Sequence, residues 1–156
     1  MMSVLSRNLA RYLMAAFLCA GLAACSGPAP GPEQAIRAWV SQGEELAEAK
    51  ERRALVDMIS ESYTDARGND RDDIENMFRV YFLRQNKVAL ITKIEELNVY
   101  GDSAAQLILT VGMAGTSEGT LGFSADAYHF EMEFELEDDE WLLTSGRWGE
   151  LGEDLH

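Results

Sequence analysis

The chain has 156 residues and a formal net charge of −14 at pH 7, with 27 acidic side chains against 13 lysines and arginines. Because binding to nucleic acid needs a basic surface, this charge excludes DNA and RNA as partners. It also argues against direct electrostatic binding to anionic lipid headgroups. The length suffices for one hydrophobic core but not for two.

The first 24 residues have the layout of a secretory signal peptide. Arg7 and Arg11 give the segment a positively charged start, residues 13–22 form an uncharged apolar run, and two alanines precede Cys25. This order of charge, apolar run and small residues is typical of export signals. The apolar run is too short to span a bilayer as a mature helix.

The end of this segment, residues 22–25 with the sequence LAAC, resembles the lipobox of a bacterial lipoprotein precursor. The resemblance implies that the Cys25 sulfur receives a diacylglyceryl group and that cleavage makes Cys25 the acylated N-terminus. Ser26 follows instead of aspartate, which favours the periplasmic side of the outer membrane by the same resemblance. The alternatives are an ordinary signal peptide cut nearby and a signal anchor left uncut.

Both cysteines of the chain belong to this N-terminal region. Cys19 lies in the apolar run, so removal of the signal would leave Cys25 as the remaining cysteine. With Cys25 acylated, the rest of the chain has no disulfide, no thiolate nucleophile and no cysteine metal site. We therefore divide the chain into a signal peptide (1–24), a lipidated cysteine with a Pro/Gly tether (25–32), one domain (33–148) and an acidic tail (149–156).

The first half of the domain predicts three helices. Asn69 or Asp70 can cap the third, with acidic residues in its first turn. Apolar residues recur at helical spacing in each segment. In chain order these residues are Ile36, Trp39, Val40, Leu46 and Ala47; then Leu55, Met58 and Ile59; then Ile74, Met77, Phe78, Tyr81 and Phe82.

The second half predicts antiparallel strands near residues 88–99, 105–113, 128–136 and 141–148, with a long hairpin loop over residues 112–124. The third of these strands alternates most strictly. Its apolar side chains point one way, and its histidine and glutamates point the other way. Helices followed by antiparallel strands predict an α+β domain with the helices on one face of the sheet.

This order of elements resembles the nuclear-transport-factor-2-like, or SnoaL-like, cone fold. The resemblance rests on residues 60–68 (SESYTDARG) between the second and third helices, on residues 99–105 (VYGDSAA) at a strand turn, and on residues 140–143 (EWLL). It implies three helices packed on a strongly curved antiparallel sheet, also called a cystatin-like fold. It further implies an apolar pocket in the cone and frequent homodimers.

Five side chains are candidates for lining such a pocket, namely Trp39, Tyr63, Asp65, Tyr81 and Tyr128. Tyr63 and Asp65 are expected at the mouth of the cone, with the other three lining it. The alternative is that aromatic side chains at this spacing simply fill a core. No catalytic residue is assigned, because His129 lies opposite the apolar row of its strand and is expected to face away from the cone.

No metal ion or cofactor is expected. The glutamates at 131, 133, 135 and 137 share one strand face, but successive carboxylates there lie about 7 Å apart, too far to hold one ion without help. Pairing with Lys93 or Arg147 is the simpler expectation. Residues 65–76 do not match a calcium loop, which needs glycine where Asp70 stands and glutamate where Asn76 stands.

These observations favour a lipid-anchored periplasmic module that binds a small apolar ligand or an envelope protein without catalysis. One alternative is a small isomerase- or hydrolase-type enzyme acting on an apolar substrate in the cone. Another is an accessory subunit of a cell-envelope assembly, which would need an exposed apolar patch. An enzyme would need a buried ionisable residue with a shifted pKa inside the cone, whereas a binding module would not.

Overall fold

The computed structural model describes residues 30–116 and 123–155. The signal peptide, Cys25 and most of the predicted tether lie outside the described residues. Within them the chain has three helices followed by four strands, in the order α1 (Pro32–Glu48), α2 (Arg52–Asp57), α3 (Arg71–Arg84), β1 (Lys87–Tyr100), β2 (Ala104–Thr116), β3 (Phe123–Glu137) and β4 (Glu140–Glu150). None of the described helices is long and apolar enough to cross a membrane.

The helix boundaries follow from local chemistry. Helix α1 begins with Pro32, a residue suited to the first helical position because its missing N–H is not needed there. Helix α3 begins after Asp70, whose carboxylate accepts a hydrogen bond of 3.0 Å from the Asp73 N–H. The Asp70 N–H in turn donates to the Asp73 carboxylate at 3.3 Å, which completes a capping box. The predicted capping by Asp70 is confirmed.

The four strands form one antiparallel sheet in the order β1-β2-β3-β4. The predicted hairpin loop over residues 112–124 is wrong at both ends, because residues 112–116 belong to β2 and residues 123 and 124 belong to β3. Gly112 pairs with Ala127, and Ala114 pairs with Ala125. Cross-strand pairing therefore overrides the low strand propensity of these small residues.

Two register shifts bend the sheet. One lies in β1 between Ile94 and Glu96, and the other lies between Glu133 and Phe134 where β3 meets β4. An extra residue on one strand increases the local twist and bends the strand, which lets the sheet curve around the helices. The predicted α+β cone fold is confirmed.

The core lies where helix α1 meets the concave face of the sheet. Ile36 and Leu107 are fully buried, and Phe134 is 1% exposed. The Trp39 ring meets the Phe134 ring edge to face, with their centroids 4.8 Å apart. This geometry suits the charge distribution of aromatic rings, so it fixes helix α1 on the sheet by more than burial alone.

Two glutamates of helix α1 cover one edge of the sheet, strand β1. The Glu44 carboxylate accepts a hydrogen bond of 2.8 Å from the Thr92 N–H, and the Glu48 carboxylate accepts one of 2.9 Å from the Leu90 N–H. A spacing of four residues along a helix, about 6 Å, is close to the two-residue repeat of a strand. Unpaired edge groups invite pairing with other chains, so these carboxylates protect β1.

The convex face of the sheet carries the glutamates of β3. Arg147 pairs with Glu131 across the β3–β4 ladder as predicted, with 2.6 Å between Arg147 Nε and Glu131 Oε2. Lys93 does not pair with the β3 glutamates. It donates to Glu95, the residue of β1 at the register shift, at 2.8 Å. That hydrogen bond lowers the pKa of Glu95. Glu133 and Glu135 are exposed, whereas Glu131 and Glu137 are half-buried, so the glutamate row is a partly solvated surface.

Candidate functional site

A cavity of about 830 Å³ is bounded by the three helices and the concave face of the sheet. Its described wall is mainly apolar and aromatic, which is the usual character of a small-molecule site. Residues from all three helices and all four strands contribute. The wall includes Trp39, Leu55, Met58, Ile59, Tyr63, Ile74, Met77, Phe78, Val80, Tyr81, Phe82, Leu90, Val111, Met113, Tyr128, Phe130, Met132, Leu143 and Trp148.

The cavity opens along helix α3. All exposed residues of the described wall lie on that helix, and two of them, Met77 and Val80, are each 42% exposed. The apolar stripe of α3 therefore faces a space and does not pack tightly onto the sheet. Polar contacts at both ends hold the helix in place: Arg71 donates to the Val56 carbonyl at 3.2 Å, and Lys50 donates to the Gln85 carbonyl just after the helix ends.

Tyr63 lies at the buried end of the cavity. Its side chain is 3% exposed, and its hydroxyl oxygen lies 3.4 Å from the point where a Cβ on Gly146 would stand. Among the described residues this hydroxyl makes no hydrogen bond to a side chain or backbone group. Burial, and secondarily the nearby Asp65 carboxylate, raise the pKa of Tyr63. The hydroxyl is therefore protonated at neutral pH and can donate a hydrogen bond to a ligand.

Asp65 does not line the cavity, and neither Tyr63 nor Asp65 lies at its mouth as the sequence predicted. Asp65 is 5% exposed. Its Oδ1 accepts hydrogen bonds of 2.8 Å from the backbone N–H groups of Arg67 and Asn69, and its Oδ2 accepts one of 2.7 Å from the Asn69 side chain. Aspartate side chains commonly close such turns by accepting hydrogen bonds from backbone N–H groups a few residues further along the chain. Asp65 thus orders the loop that places Tyr63.

Tyr81 and Tyr128 lie together nearer the opening, one on helix α3 and one on β3. Both are half-buried wall residues. Burial raises the pKa of both, and the Asp126 carboxylate adds to the shift in each case. Both phenols are therefore neutral donors under ordinary conditions, in surroundings where nearby acids disfavour negative charge.

Trp39 lies in the wall between helix α1 and the sheet. Its indole N–H is buried without a hydrogen-bond partner among the described residues. The buried unpaired donor carries a desolvation cost, and the Trp39 ring packs edge to face on Phe134.

Several wall residues were missed by the sequence analysis, above all Trp148 on β4. Its ring stacks on Phe130 with the centroids 6.3 Å apart, and the Arg67 guanidinium lies 4.9 Å from the centre of its ring. Arg67 also donates to the Trp148 carbonyl at 3.3 Å. The alternation of side chains along β4 is a sequence signal for the face that Trp148 occupies. Its pairing with Phe130 follows only from the register of the β3–β4 pair.

Groups able to take a proton near neutral pH are scarce in this cavity. Asp73 is its one described carboxylate, and its side chain is engaged in the capping box of helix α3. His129 is not among the wall residues, in keeping with its place opposite Tyr128 and Phe130 on β3. Within the described residues no three histidine, cysteine, aspartate or glutamate side chains cluster as they would for a metal ion.

No protein-family model matches the sequence, and no curated protein matches it. Solved structures do match. An NTF2-like protein with a cystatin-like fold from Novosphingobium aromaticivorans is 15% identical, with a TM-score of 0.63 over 99% of this chain and 94% of that one. A ketosteroid isomerase-like protein from Erwinia carotovora atroseptica is 11% identical, with a TM-score of 0.61 over 76% and 95% of the two chains.

An enzyme also shares this architecture. The hexachlorocyclohexane dehydrochlorinase of Novosphingobium barchaimii is 12% identical, with a TM-score of 0.63 over 78% of this chain and 88% of the enzyme. Identities this low establish a shared fold and no shared activity, because one fold carries many functions. The helix order, the curved four-stranded sheet and these matches agree: this chain has the cone fold of the nuclear-transport-factor-2-like proteins.

Proposed function

We propose that the protein is a non-catalytic binding module that holds one small apolar ligand in the cone, tethered to the cell envelope through an acylated Cys25. The observation that carries the binding proposal is the open cavity of about 830 Å³, whose wall is mainly apolar. An apolar cavity of this size that opens to solvent suits a drug-sized molecule.

The scarcity of proton-transfer groups supports binding without catalysis. A general base must lie within reach of its proton and titrate near the working pH. Tyr63 has a raised pKa and so cannot act as a base near neutral pH, while Asp73 is exposed and engaged in helix capping. The wall offers donors and apolar contacts, which suffice to hold a ligand.

The binding proposal is tested with N-phenyl-1-naphthylamine, a neutral probe that fluoresces in apolar sites. We expect the purified protein to bind it at one site. Met132→Trp, which adds an indole inside the cavity, is expected to weaken binding about tenfold or more. His129→Trp, on the opposite face of the same strand, is the matched control and should bind as the native chain does. Equal binding by both variants would contradict a site in the cone.

A second candidate function is an isomerase- or hydrolase-type enzyme acting on an apolar substrate. It is favoured by the unpaired Tyr63 hydroxyl inside the cavity, because a buried donor can stabilise negative charge that develops on a substrate oxygen. The hexachlorocyclohexane dehydrochlorinase among the structural neighbours shares the fold. Recovery of a co-purified ligand in chemically altered form after incubation would favour this candidate over pure binding.

The anchor is tested separately by Cys25→Ser. We expect this variant to lose its lipid and to move from the membrane fraction to the soluble fraction, because a serine hydroxyl cannot form the thioether on which the acyl chains depend. Cys19→Ser is the matched control within the apolar run and should stay acylated. Fractionation and intact-mass measurement read both outcomes, and a Cys25→Ser chain that stays in the membrane would overturn the anchor.

A further inference from the structure

The buried end and the opening of the cavity differ in chemistry. The described cationic wall residue is Arg84, which is exposed at the C-terminal end of helix α3. The buried end has the Tyr63 hydroxyl, the bare backbone of Gly146 and apolar side chains such as Leu143. Tyr63 is the one fully buried residue of the described wall with a polar side chain, and its hydroxyl is a donor. Asn69, half-buried in the same wall, donates its amide to Asp65.

The Tyr63 hydroxyl is available to a ligand. The hydroxyl makes no hydrogen bond to the described side chains or backbone groups, and its oxygen keeps some accessible surface. Because the whole residue is 3% exposed and belongs to the cavity wall, the accessible part of the hydroxyl opens into the cavity. Gly146 leaves room beside it, since a side chain there would approach the oxygen to 3.4 Å.

The surroundings of this hydroxyl disfavour negative charge. Apolar walls desolvate any ion placed there, and the buried Asp65 carboxylate lies close by. The same two influences hold the Tyr63 phenol in its neutral form. A ligand carboxylate at this depth would meet both of them, with no described cation of the wall beside it.

We propose that the inner end of the cavity recognises an uncharged oxygen acceptor, such as a carbonyl or ether oxygen, on an otherwise apolar ligand, with Tyr63 Oη as the donor. The inference rests on the proposed binding function and names the class of ligand. A site built around one buried donor rejects an analogue that lacks the acceptor, because the donor is then left unpaired. It rejects a carboxylate through desolvation and the nearby Asp65 charge.

Three probes of matched shape test this inference by titration calorimetry: 2-acetylnaphthalene, 2-isopropylnaphthalene and 2-naphthoate. We expect the native protein to bind the ketone about five- to tenfold more tightly than the hydrocarbon, with the carboxylate weakest. Tyr63→Phe should abolish the preference for the ketone and should bind the hydrocarbon at least as tightly as the native protein does, because it has no donor to leave unpaired. Tyr100→Phe, at an exposed tyrosine outside the cavity, is the matched control and should keep the preference.

The outcomes separate this inference from the function on which it rests. If the ketone and the hydrocarbon bind equally, if Tyr63→Phe keeps the preference, or if the carboxylate binds most tightly, the ligand class is overturned while binding in the cone stands. If none of the three probes binds and N-phenyl-1-naphthylamine also fails, both proposals are overturned. A thermal melt of Tyr63→Phe shows whether the variant is folded, and the hydrocarbon titration shows whether its cavity is intact.

Discussion

Replacing Phe134 with alanine is expected to lower the free energy of unfolding by about 3–5 kcal/mol, the usual cost of removing a buried aromatic ring. Phe134 is 1% exposed and stands between Ala105 and Leu143 on the neighbouring strands. It also meets the Trp39 ring edge to face. The substitution would therefore remove the contact that holds helix α1 on the sheet and leave a void that strand backbones cannot readily close.

Urea denaturation followed by circular dichroism measures this loss, with an unchanged dependence on denaturant showing that the unfolded state is the same. Leu83→Ala is the control, since Leu83 is 81% exposed on helix α3 and its removal should cost less than about 0.5 kcal/mol. A loss below about 1 kcal/mol for Phe134→Ala would contradict the described core.

The second large effect is expected from Asp65→Ala, which should lower the free energy of unfolding by about 2–4 kcal/mol. The substitution removes the acceptor for two backbone N–H groups, those of Arg67 and Asn69, and for the Asn69 side chain. Donors that lose their partner in a buried turn carry a desolvation cost of about 1–3 kcal/mol each, reduced where water can reach them. The loop that places Tyr63 would lose its order as well.

Thermal and urea unfolding measure the change. Glu61→Ala is the control in the same loop, because the Glu61 side chain is 93% exposed and its ion pair with Arg71 is long at 3.5 Å. Asp65→Asn should cost less than Asp65→Ala, since the amide oxygen can still accept from the two backbone groups. Equal stability of Asp65→Ala and the native protein would show that the turn does not depend on this carboxylate.

The two effects concern different parts of the binding site. Phe134 supports the wall through helix α1 and Trp39, whereas Asp65 supports it through the loop before helix α3. The sites share no partner, so their effects on stability should be nearly additive in a double variant. A folded single variant at either site would also be expected to bind the neutral probe less tightly, because the wall residues it supports would be displaced.

Much of the fold could be predicted from local patterns. The capping box at Asp70 follows from residue types at fixed spacing, and the alternation of β3 separates Tyr128 and Phe130 from His129 without knowledge of any partner strand. The predicted loop over residues 112–124 failed for the opposite reason. Glycine and alanine have little strand propensity of their own, and pairing with Ala125 and Ala127 decides their conformation.

Local sequence determined that Asn69 or Asp70 begins helix α3 and that the apolar side chains of β3 share one face, because these properties depend on neighbours within a few residues. Tertiary structure decided whether an apolar face packs or borders a space. The apolar stripe of helix α3 has the spacing of core residues. In the structure, Arg71 and Lys50 hold the two ends of the helix, and the stripe borders an open cavity. It also decided that Tyr63 and Asp65 are buried and have different roles, since burial depends on segments distant along the chain.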